Sequence, residues 1–122
     1  MVEMSTLRAG ELQIDSRIEP EKVHLDWQGR SAARDPRALL VPYFEQTFDA
    51  ARARGASVEM HFESLRYFNS STIAALIDGI RLATERGVPV VMSYKHDVRW
   101  QRMSFDVLRA FTRDHDFQLR AV

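Results

Sequence analysis

The chain has 122 residues, with 17 lysines and arginines against 17 aspartates and glutamates, and no cysteine. That length suits one domain, residues 1–122, around a single core, and the balanced charge leaves no global field to draw it onto nucleic acid or anionic lipid. The lack of cysteine excludes disulfides, thiolate metal sites and a cysteine nucleophile, and no run approaches the roughly 18 apolar residues of a membrane span.

The first eight residues, Met1 to Arg8, have no apolar segment of the kind that directs secretion and read as a polar lead-in, so the expectation is a soluble, cytoplasmic protein. From Gly10 to Ile18, Leu12, Ile14 and Ile18 alternate loosely with polar residues, which predicts an edge strand. After the turn Glu19-Pro20-Glu21, Val23, Leu25 and Trp27 share one face of a second strand, hairpinned to the first and closed by Gly29. His24 and Asp26 share its other face; a strand exposed on one side gives that pattern without a metal, and no metal is assigned to them.

Asp35-Pro36 pairs a capping acid with a proline at the first helical position. The stripe Leu40, Val41, Phe44, Phe48, Ala51 then predicts a helix stopping at Gly55. Pro42 predicts a kink there, or a short turn followed by a main helix from near Val41. In Ser57 to Glu63 the residues Val58, Met60 and Phe62 point inward, and Glu59, His61 and Glu63 outward. Such alternation places helices on one side of the sheet and a polar face on the other. The acid, imidazole, acid row reads as a solvated strand face rather than a cation or proton-transfer site.

Tyr67-Phe68 end a strand, and Asn69-Ser70-Ser71-Thr72 open the next helix; each of Asn69, Ser70 and Ser71 can cap it. The free N–H groups and the dipole there also favour an anion, so a phosphate on Ser70 fits that field. Ile73, Leu76, Ile77, Ile80 and Ala83 form the apolar stripe of this helix, which ends at Gly87. Val88 to Tyr94 predicts a strand parallel to the one at Val58, joined through a right-handed crossover. Trp100, Met103, Val107, Leu108 and Phe111 predict a third helix from near Asp97 to about Thr112, with a cap possible at Ser104. Asp114-His115-Asp116 reads as a turn and not a metal site, and Phe117 to Val122 as a last strand. The whole predicts an α/β fold: a single mixed sheet of about five strands with helices mainly on one face.

No glycine-rich phosphate loop, dinucleotide fingerprint or H-E-x-x-H helix is present, and Ser70 lacks the G-x-S-x-G surroundings of a hydrolase elbow. The sequence therefore predicts no cofactor, no metal and no enzyme activity.

The order of elements, with Phe68-Asn69-Ser70-Ser71-Thr72 where a central strand meets the next helix, resembles the STAS domain of anti-sigma-factor antagonists. The likeness runs from about Leu12 to Val122. Asn69 stands where that family usually has aspartate and Thr72 where it has glycine, the acid after the glycine of the second strand has no counterpart beyond Gly29, and the C-terminal helix of many members is missing, which marks a divergent member. The resemblance implies a STAS-like fold and phosphorylation of Ser70 by a serine/threonine kinase that is itself the anti-sigma factor. It also implies reversal by a serine phosphatase, and partner binding through Asn69, Ser71 and Thr72. The alternative is a non-phosphorylated scaffold or sensor subunit that keeps the fold and binds a protein partner or small ligand.

Overall fold

The computed structural model describes residues 3–111 and 116–122. Strands β1 (Glu3–Ala9), β2 (Leu12–Ile18) and β3 (Lys22–Ser31) lead into helix α1 (Pro36–Arg54), then β4 (Ser57–His61), β5 (Leu65–Phe68) and α2 (Ser70–Arg86). Strand β6 (Val90–Tyr94), helix α3 (Arg99–Leu108), a 3-10 turn over Arg109–Phe111 and β7 (Phe117–Ala121) follow. Among the described residues the seven strands form one mixed sheet, in the order β1-β2-β3-β4-β6-β7 with β5 on β3. The first three strands are antiparallel, and β3-β4-β6-β7 run parallel.

Two strands exceed the sequence reading. The lead-in up to Ala9 is a full strand, so β1 occupies the edge and the segment expected there, β2, is paired on both sides. Its side chains other than Leu7 and Ala9 are polar or exposed, which left the alternation too weak to see. The second addition comes from β3, whose ten residues face β4 over Lys22–Asp26 and β5 over Gly29–Ser31. The register shifts between Gly29 and Arg30. At Gly29 the backbone is left-handed, with φ 81°, and a Cβ would lie 1.9 Å from the Glu11 carbonyl oxygen. Only glycine lets β3 pass that close to the turn between β1 and β2.

Helix α1 is one continuous helix of 19 residues that carries Pro42 inside it, rather than a turn followed by a helix. Pro42 is exposed, so the hydrogen bond it removes lies away from the core. Asp35 occupies the capping position without a side-chain bond, and Pro36 starts the helix as its fixed φ allows. Ser104 lies inside α3, which starts after Val98, and therefore caps nothing. Of the turn Asp114-His115-Asp116, the first two residues, like Thr112, lie outside the described residues.

The core lies between the sheet and the helices. Leu40, Phe44, Phe48 and Ala51 of α1 and Ala75, Leu76, Ile80 and Ala83 of α2 pack on Ile14, Leu25, Trp27, Met60 and Met92, all buried. Trp27 lies 4.8 Å from Phe62 between ring centroids and 6.2 Å from Phe44. Phe105 brings α3 onto the same face, stacked at 4.8 Å on Tyr94. The opposite face of the sheet is a polar surface of cross-strand rows, such as His24 beside Glu59 and Asp26 beside His61. No helix among the described residues is long and apolar enough to cross a membrane.

Candidate functional site

The corner between β5 and α2 is built by hydrogen bonds that fasten the helix start to the end of β3. Asn69 takes the extended conformation of a cap, and its Oδ1 accepts from the Thr72 amide at 2.9 Å and the Thr72 hydroxyl at 2.8 Å. Its Nδ2 donates to the Ala33 carbonyl at 3.0 Å, and its own amide donates to Ser31 O at 3.1 Å. The Thr72 and Ser31 hydroxyls meet at 2.7 Å. Both are buried, so each satisfies the other where water cannot reach.

The site residues expected from the sequence therefore separate. Ser70, the first residue of α2, is exposed, and Ser71 and Asn69 are half-buried beside it. Thr72 has no exposed surface, which corrects its expected place in a partner-binding face. It is an internal strut, because its hydroxyl is tied to Ser31 and Asn69 and its side chain lies under the first turn. Ser31 and the Ala33 carbonyl complete the corner and were missed, since nothing in a β-strand end announces a contact to a residue 41 positions away. Around the corner, Arg30 lies 5.1 Å from the centre of the half-exposed Tyr67 ring, giving a cation and an aromatic on the surface next to it. An apolar cleft of about 490 Å³, lined by Leu12, Ser31, Ala33, Pro36 and Leu39 among others, opens on the other side of the β3 end.

The polar face of the sheet also differs from its reading. Glu59, expected in a solvated row, is only 5% exposed, covered by side chains from β3 and β7. Burial pushes its carboxyl up, but the Lys22 hydrogen bond and charge, with Arg120 and His24, outweigh that and hold it below the ordinary carboxylate value. His24 and His61, read separately in the sequence, stand in contact beside it. Asp26 is not part of this group, as His24, Glu59 and His61 are the residues whose ligand atoms converge.

The mixed sheet with helices on one face and a strand-to-helix corner at Ser70 is a STAS-like fold. Among solved structures it is similar to SiaC of Pseudomonas aeruginosa, at a TM-score of 0.61 and 18% identity over 98% of each chain. A second structure of that protein, in its apo form, gives 0.53 at 16% identity over 98% of this chain and 99% of the other. The anti-sigma factor antagonist SpoIIAA in its unphosphorylated form matches at 0.49 and 14% identity, over 91% of this chain and 96% of that one. No protein-family model matches the chain, and no curated protein does. At these identities the likeness is one of fold.

Proposed function

We propose that the chain is a regulatory binding module of the anti-sigma-factor-antagonist type, docking a protein partner through the corner around Ser70 and switched by phosphorylation there. The observation that carries this reading is the exposed Ser70 hydroxyl at the head of a helix whose first turn is rigidly held. The STAS-like fold supports it. Ser70 and the half-buried Asn69 and Ser71 form the docking surface. The partners are a serine/threonine kinase acting as the anti-sigma factor and a serine phosphatase that resets the switch. No chemistry by this chain is required.

A phosphate adds a charge of about −1.5 to −2 and three acceptor oxygens. The helix dipole tolerates this charge on the free protein, whereas an acidic or apolar partner surface does not. Moving a complex from mostly formed to mostly apart takes about 5.5 kcal/mol, which a dianion in a close interface is suited to supply.

Intact-mass measurement and site mapping on the protein isolated from its own cells test the switch. A single added phosphate on Ser70 is expected, with Ser70→Asp weakening partner capture and Ser70→Ala preserving it. Phosphate found only elsewhere, or aspartate and serine forms that bind alike, overturns this reading. A protein never phosphorylated in any growth state favours instead a constitutive scaffold using the same corner.

A further inference from the structure

We propose that His24, Glu59 and His61 form a binding site for a zinc-class divalent metal ion on the polar face of the sheet. The site does not depend on Ser70. His24 comes from β3 and the other two from β4, two residues apart on the same face, so the parallel register of these strands alone brings them together. His24 Nδ1 lies 3.0 Å from His61 Nε2, and Glu59 Oε2 lies 3.5 Å from the first and 3.7 Å from the second.

Two accounts bear on those distances. One imidazole donating to the other explains the 3.0 Å contact, but leaves the Glu59 oxygen too far from either nitrogen for a good hydrogen bond. A tetrahedral ion with bonds of about 2.0–2.1 Å has ligand atoms about 3.4 Å apart. The three separations bracket that edge length; the two rings, nearly parallel at 14° with centroids 5.3 Å apart, need only turn about their own side-chain bonds to aim both nitrogens at one centre, with the strands left as they are.

The surroundings point the same way. Glu59 Oε1 is held at 3.3 Å by Lys22 and at 3.6 Å by Arg120, which turns Oε2 toward the imidazoles. His61 Nδ1 is 2.9 Å from the Ser93 hydroxyl, which donates to Glu63 at 2.5 Å. Glu19 lies 3.4 Å from His24 Nε2. The Ser93 hydroxyl is thus an acceptor behind the far nitrogen of His61 and favours the tautomer that leaves its near nitrogen free to ligate, while Glu19 is an ion-pair neighbour of His24. Two imidazoles and one carboxylate with the fourth position open to water suit zinc, cobalt or nickel rather than magnesium or calcium, which prefer oxygen ligands.

The full chain, stripped with chelator, is titrated with zinc sulfate alone by calorimetry, and cobalt is substituted for its visible spectrum. One zinc per chain is expected, with a four-coordinate cobalt spectrum and a higher melting temperature in zinc. His24→Gln and His61→Gln each weaken binding about 100-fold or more, and Ser93→Ala, which touches only the far side of His61, about tenfold. His96→Gln, in the turn after β6 and outside the cluster, leaves affinity unchanged. Circular dichroism verifies that each variant is folded before binding is compared. Zinc uptake equal in the ligand variants and the parent, no uptake by the folded parent, or calcium bound as tightly as zinc overturns the proposal.

Discussion

Asn69 commits both ends of its side-chain amide to the fold, Oδ1 to Thr72 and Nδ2 to the Ala33 carbonyl. An aspartate can still cap the helix but has nothing to donate to Ala33. Asn69→Asp should therefore cost about 1 kcal/mol, the worth of one hydrogen bond, and Asn69→Ala about 2 kcal/mol through loss of the cap as well. Urea unfolding of the two variants measures both. The asparagine at this position is thus explained by a backbone carbonyl that a carboxylate would face unfavourably. At Tyr43 burial pushes the phenol up from 10.0 to about 12. The folded state then holds a proton that the unfolded state releases, so this stabilisation is complete below pH 10.0 and disappears as the pH rises to about 12. Tyr43→Phe should remove that part of the alkaline melting-temperature decline.

At the scale of elements, the hairpin of β2 and β3 depends on Gly29, where both the left-handed φ and the 1.9 Å approach to Glu11 O exclude a side chain. Gly29→Ala should cost at least about 3 kcal/mol by thermal unfolding, as strain and clash add. Gly10 has a similar φ of 59° but open space around it, and alanine there should cost only about 1 kcal/mol. The elements that were legible in sequence are those with a strong period: α2, from its stripe and Gly87; β3, from Val23, Leu25 and Trp27; and β4 and β6 as a parallel pair. The edge strand β1 was not, since its apolar residues do not alternate onto one buried face: Met4 is exposed and only Leu7 and Ala9 are partly covered. The same limit applies to the sites. Ser70 at a helix head is a local pattern, readable from neighbours in sequence. The convergence of His24 with His61 spans 37 positions and exists only once β3 and β4 are in register.

For the molecule as a whole, the two proposed sites lie on different parts of one rigid sheet. The Ser70 corner hangs from the last residues of β3 through Ser31, while the histidine pair joins the beginning of β3 to the end of β4, on the side without helices. A change at Ser70 acts on exposed hydroxyls, and a metal ion would act on side chains already half enclosed. The two are therefore separable in experiment: Ser70→Asp should leave zinc affinity unaltered within twofold, and His61→Gln should leave partner capture intact.

Strand β3 has β2 on one side along its length, but its other side belongs first to β4 and then to β5, both of which lie beyond the 19 residues of α1. During synthesis, the hairpin of β2 and β3 can form as soon as it leaves the ribosome, while the second edge of β3 stays without a mate until residue 61 has emerged and is complete only after residue 68. For that interval the nascent chain displays Val23, Leu25 and Trp27 on a half-finished template. This is the stage at which a stray strand from a neighbouring chain has its best opportunity to join.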